Sequence, residues 1–176
     1  MEIPRDFKEC IELLQSRNVE FVVVGGYALA AHGRPRYTGD IDLFIRKSPE
    51  NAQRVVDALH EFFGPLPEIS VDNFLDEKRM SQFGLEPLRI DFLVHIKGVD
   101  FDTVWNNRVV IRYSGLDIPF ISLADLLANK RAVGRANLMG ALRKAMAMTG
   151  HATLKDLQKA DLMVVAPPTV RPGGQR

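Results

Sequence analysis

The chain has a single cysteine, Cys10, in 176 residues. That excludes an internal disulfide and a cysteine-based zinc site. Cys10 falls on a helical stripe with Phe7, Ile11 and Leu14, where a free cysteine behaves as a small core residue. No apolar segment of the signal-peptide kind stands at the N-terminus, and no apolar run is long enough to span a bilayer. The cytoplasm is the expected compartment. Net charge is also nearly absent, at +1, but it is unevenly spread. Residues 1–107 carry 12 basic and 18 acidic side chains, and residues 108–176 carry 11 and 4. The basic half could face a polyanion; solvated helix faces give the same count.

Apolar periodicity supplies the elements. Residues 4–17 read as an amphipathic helix and 19–24 as a buried strand. Gly25-Gly26 then opens a short alanine-rich helix over 27–31, and Arg34-Pro35-Arg36 makes a loop. Residues 40–45 read as a second strand. Ser48-Pro49 starts a helix that runs to about Phe63, with Ala52, Val55, Val56, Leu59 and Phe63 inward. Residues 79–83 give a strand turning at Gly84, and 88–96 another. One helical turn is expected over 102–106. A strand pair over 109–113 and 117–121 is expected around Ser114-Gly115. Ser122 opens a helix to Val133, with Asp125 three residues on in a capping-box arrangement. Two further helices are expected over 136–148 and 153–165, and a disordered tail from Ala166. Strands alternate with helices, which predicts an α/β or α+β class with a mixed sheet and helices packed on one face. The expected organisation is a core over 1–135, a helical appendage over 136–165 and a tail over 166–176.

The chemistry concentrates at three aspartates. Strand side chains alternate faces, so Asp40 and Asp42 project together, about 7 Å apart along the strand. A pair of carboxylates at that spacing is a hard-oxygen site suited to Mg²⁺. In the strand over 88–96, Ile90, Phe92, Val94 and Ile96 share one face, and Arg89, Asp91, Leu93 and His95 share the other. If the two strands neighbour each other, Asp91 joins Asp40 and Asp42 on the open face. A charge in so apolar a strand needs a partner or a metal once buried. Taken alone, Asp40-Ile-Asp42 also reads as a strand edge with solvated charges, and a Gly-Gly turn is common between strand and helix. Together they read as a metal site beside a phosphate-binding turn.

Gly25-Gly26, Asp40-Ile-Asp42 and the later strand carboxylate Asp91 resemble the nucleotidyltransferase superfamily that includes DNA polymerase β, kanamycin nucleotidyltransferase and the bacterial minimal nucleotidyltransferases. The phrase from Val24 through Gly25-Gly26-Tyr27 to Asp40-Ile41-Asp42-Leu43 looks like the small bacterial branch near the AbiEii-type toxins. So do Arg89-Ile90-Asp91-Phe92-Leu93 and the run from Ser122 to Lys130-Arg131. After Gly134-Arg135 the chain departs from that pattern. The resemblance covers roughly residues 1–135. It implies Asp40, Asp42 and Asp91 as catalytic metal ligands for two Mg²⁺ ions, with Mn²⁺ as a substitute. It also implies an NTP donor and Gly25 and Gly26 at the donor phosphates. The acceptor would be a hydroxyl on tRNA, a protein or a small molecule, in a toxin–antitoxin setting with an antitoxin partner. The alternative is a non-catalytic nucleotide-binding or regulatory subunit on the same fold.

Three more residues are candidates for the nucleotide. Lys130 continues the inward stripe of Leu123, Leu126 and Leu127, so it either snorkels to the rim or reaches into a cleft. Arg36 stands just before the aspartate strand, as a phosphate contact or an exposed loop arginine. Thr38 stands beside Asp40, where it can fix the loop by a backbone hydrogen bond. His32 reads as a helix C-terminal cap, and His95 as an unusual ligand for Mg²⁺.

Overall fold

The computed structural model describes residues 3–33, 38–85, 88–113 and 115–134. The Arg34-Pro35-Arg36 loop, the expected helices over 136–148 and 153–165, and the tail lie outside the described residues. The elements run α1 (Arg5–Ser16), β1 (Phe21–Val24), α2 (Gly25–Ala31), β2 (Asp40–Ile45) and α3 (Pro49–Phe63). They continue with β3 (Ser81–Leu85), β4 (Leu88–Leu93), α4 (Phe101–Asn107), β5 (Val109–Tyr113), β6 (Leu116–Phe120) and α5 (Leu123–Ala132). Val71–Phe74 forms a short 3-10 turn in the acidic stretch between α3 and β3. No helix among the described residues is long and apolar enough to cross a membrane.

Six strands form one mixed sheet in the order β3-β4-β2-β1-β6-β5. β2 runs parallel to β4, and β1 parallel to β6; the other neighbours are antiparallel. The sequence alternation in β2 is realised: Ile41, Leu43 and Ile45 are buried in the core. α1 packs on α3 and buries Phe7, Cys10, Ile11 and Leu14 in the core. α3 starts where it does because the Ser48 side chain accepts from the Asn51 N–H, with Pro49 in the first turn. Buried Asn51 then bonds Glu20 N–H, Glu20 C=O and Arg46 C=O, tying the helix start to the ends of β1 and β2.

The aspartate face of the sheet is also covered at one end. Phe44, which follows Asp40 and Asp42 on that face, is buried and meets Phe101 of α4 edge-on, with centroids 5.1 Å apart. A buried aromatic there fixes how far the open face extends.

Four local expectations are corrected. Phe63 is 37% exposed and stacks on Phe83 at the rim, because α3 ends at Gly64 before its last turn passes over the core. β3 does not turn at Gly84 but runs through it to Leu85, pairing with Leu88. Gly84 is required there because φ is +90° and a Cβ would sit 2.6 Å from the Leu88 carbonyl oxygen. β4 stops at Leu93, since Ile96 leaves the ladder to bridge Val99. The turn expected over 102–106 is a seven-residue helix, capped by Asp100, which accepts from Thr103 N–H.

Candidate active site

Register brings the three aspartates together. In the parallel pair β2/β4, Asp42 lies beside Asp91 and Asp40 beside Arg89. Carboxylate oxygens of Asp40, Asp42 and Asp91 lie within 4.8 Å of one another. Asp91 is buried, while Asp40 and Asp42 are half-buried. Val24, the last residue of β1, lies beside Asp42, so α2 begins directly over the cluster.

That approach dictates the glycines. Gly25 has φ +64°, and a Cβ on it would run into Asp42 Oδ2. A Cβ on Gly26 would press on the Thr38 side chain at 2.9–3.0 Å. The Gly26 N–H donates to the Asp42 carboxylate. Thr38 donates its hydroxyl to Asp40 Oδ1, with a longer contact of 3.3 Å to the Asp40 carbonyl oxygen. Thr38 therefore sets the orientation of Asp40.

Lys130 does not snorkel to the rim. It is buried in α5, and its charge acts on Asp42. The helix that carries it is anchored at its start. The Ser122 hydroxyl accepts from Asp125 N–H and donates to Asp125 Oδ2, while the Asn107 amide donates to the same carboxylate. Near the other end, a Cβ on Gly98 would meet the Ala132 Cβ at 2.7 Å, and Asn129 donates to the Lys97 carbonyl oxygen. Arg36 lies outside the described residues. His32 does cap α2: it is buried and shares a 2.7 Å hydrogen bond with Ile121 O. His95 is exposed.

Two residues of the site were given no role by the sequence reading. Arg89 donates from Nε to Asp91 Oδ1 at 2.7 Å and from a terminal nitrogen to Oδ2 at 3.0 Å. The same nitrogen reaches Asp40 Oδ2 at 3.3 Å. Gln82 of β3, paired in register with Asp91, donates to both its oxygens at 3.3 Å. The charge of Asp91 thus has protein partners, and its burial does not by itself demand a metal. The signal that could have found Arg89 was its spacing: two residues before Asp91, it must share that face.

The cluster as a whole still fits a divalent cation. Burial, then the charges of Asp40 and Asp91, push the Asp42 carboxyl up to about 6; Lys130 and the Gly26 N–H offset this only in part. A carboxylate that burial and two neighbouring carboxylates disfavour as an anion gains from a cation placed beside it. Hard oxygen ligands from three aspartates are the donor set Mg²⁺ and Mn²⁺ take.

Comparisons with known proteins give the family and the fold. Residues 13–133, more than half the chain, match the model of the family described as nucleotidyl transferase AbiEii toxin, type IV toxin–antitoxin system. The chain belongs to that family. It is a nucleotidyltransferase of the AbiEii type, and its Asp40-Ile-Asp42 and Asp91 both fall within the matched stretch. Among curated proteins none matches. The solved structures that share the fold include these two. One is the Thermotoga maritima protein TM1012, described as a nucleotidyltransferase, with TM-score 0.52 and 16% identity over 84% of this chain and 97% of its own. The other is ANT(2″)-Ia, solved with adenylyl-2″-tobramycin, with TM-score 0.53 and 12% identity over 86% and 92%.

Proposed function

We propose that this AbiEii-type chain moves a nucleoside monophosphate from an NTP to a hydroxyl acceptor and releases pyrophosphate. The observation that carries the reading is the meeting of Asp40, Asp42 and Asp91 within 4.8 Å, beside a helix start stripped of side chains at Gly25 and Gly26. Two Mg²⁺ ions, or Mn²⁺ in their place, would supply charge neutralisation at the donor phosphates and activation of the acceptor hydroxyl. Asp40 and Asp42 would hold both, and Asp91 the acceptor-side one. Gly25 and Gly26, whose missing side chains make room for Asp42 and Thr38, would lie at the donor phosphates. Lys130, buried beside Asp42, and Arg36 would meet their charge. Thr38 contributes through Asp40 and borders the donor at Gly26.

In the reaction the acceptor oxygen bonds to the α-phosphorus as the bond from that phosphorus to the β-bridging oxygen breaks. No covalent intermediate on the protein is needed, because positioning and charge neutralisation supply the catalysis. The Arg89 fork uses one lone pair on each Asp91 oxygen and the long 3.3 Å contacts of Gln82 bear on the other, so a cation and the acceptor's proton would reach Asp91 by displacing Gln82. We read the acceptor as a hydroxyl of tRNA or a protein in the cytoplasm, with an antitoxin partner, a setting in line with the family's description as a type IV toxin. The adenylylated tobramycin in ANT(2″)-Ia keeps small molecules on the list.

Calorimetric titration of an NTP tests the site. Affinity should be markedly higher in Mg²⁺ than in EDTA, and the gap should close in Asp42→Asn. Equal affinity in both buffers would overturn the reading.

A further inference from the structure

Asp91 is the deepest of the three carboxylates, with its side chain 3% exposed, and Arg89 pairs with it at 2.7 Å. The two contacts that Arg89 makes differ in kind. Toward Asp91 it presents a planar, two-point fork at 2.7 and 3.0 Å, the geometry in which arginine matches a carboxylate. Toward Asp40 it makes one long contact of 3.3 Å, and the Asp40 side chain is 37% exposed. Because Asp40 lies beside Arg89 across the parallel ladder, one guanidinium links carboxylates of β2 and β4.

We propose that Arg89 is a positioning residue that stands in for the divalent cation: it ties Asp40 to Asp91 until metal binds, then yields Asp40 and keeps its fork on Asp91. The proposal rests on the transferase reading above. Three carboxylates within 4.8 Å repel one another, and a fixed cation among them offsets that repulsion. A divalent ion brings twice the charge to the same oxygens, so the single, longer contact is the one displaced. The fork persists because its 2.7 and 3.0 Å charge-assisted bonds outlast the neutral 3.3 Å contacts of Gln82, which give up the other lone pair of each oxygen, and it keeps Asp91 aimed at its register neighbour Asp42. A lysine could supply the charge but not the fork.

This role separates three quantities that a merely structural arginine would lower together. Arg89→Gln strands a buried carboxylate without its cation, so its melting temperature in EDTA should fall by about 10 °C. With a positive charge removed from beside the site, Mn²⁺ affinity read by electron paramagnetic resonance without nucleotide should rise, by about tenfold. Turnover should nevertheless collapse, with KM for the NTP little changed. Arg89→Lys should keep the wild-type melting temperature and Mn²⁺ affinity yet lose turnover.

Unchanged or weaker Mn²⁺ binding by Arg89→Gln, or wild-type turnover by Arg89→Lys, overturns the proposal. If Arg89→Gln does not fold, Arg89→Lys decides: lost turnover at wild-type Mn²⁺ affinity supports it, and any other pattern overturns it. Wild-type protein that binds no Mn²⁺ contradicts the transferase reading itself and the proposal with it.

Discussion

Asp42→Asn should make the metal-free protein more stable while destroying its function. Burial, then the neighbouring charges of Asp40 and Asp91, push the Asp42 carboxyl from 3.8 up to about 6. Each pH unit of that gap is worth about 1.4 kcal/mol, so ionised Asp42 costs the metal-free fold up to about 3 kcal/mol at pH 7.5. Asparagine keeps an oxygen for the Gly26 N–H and discards the charge. It also takes a counter-charge from Lys130, which trims the gain to about 2 kcal/mol. For a chain of this size that is a rise in Tm of about 4–8 °C.

The sign with pH follows from a folded pKa raised above the unfolded one. Below 3.8 both states hold the proton and the cost is nil. It grows as pH rises through about 6 and is complete above that. Thermal melts in EDTA should therefore show Asp42→Asn ahead of wild type at pH 7.5 and level with it near pH 4. Adding Mg²⁺ at pH 7.5 should reverse the order, since only the wild type retains the full ligand set. A variant no more stable than wild type in EDTA at pH 7.5, or an advantage that does not vary with pH, would refute this electrostatic account.

Two further changes probe the walls of the site. Gly25→Ala adds a Cβ at φ +64° that runs into Asp42 Oδ2. It should cost about 2 kcal/mol or more in urea denaturation and abolish metal-dependent NTP binding. Lys130→Met removes a buried cation that lowers the Asp42 pKa. The KM for the NTP should rise about tenfold or more, and the pH needed for Mg²⁺ binding should move upward, as read from KM and metal titrations against pH.

The aspartate site was legible because its rules are local. Alternation in 40–45 and 88–93 puts Asp40, Asp42 and Asp91 on one face of their strands. The helix starts at Ser48 and Ser122 carry their caps in the sequence. What the sequence could not show was which strands neighbour which. Only the parallel β2/β4 register sets Asp42 beside Asp91, and that long-range pairing has no periodic signature. The same gap hid Arg89's bridge to Asp40 and Gln82's reach from β3, because each crosses between strands. Gly84 misled for a related reason: a glycine that breaks a strand and one that lets a neighbouring backbone come close look alike until the neighbour is known. Phe63 continued an apolar stripe, but the core ended one turn earlier.

The central claim is that this site transfers the nucleotidyl group of an NTP. NTP labelled at the α- or γ-phosphate, incubated with the protein, Mg²⁺ and bulk tRNA, or with tobramycin as a small-molecule acceptor, reads it directly. The account predicts that the α-label moves to an acceptor or to the protein itself, that the γ-label leaves as pyrophosphate, and that EDTA or Asp91→Ala stops both. Transfer of the γ-label to the acceptor, or α-label transfer that persists in Asp91→Ala, would contradict it.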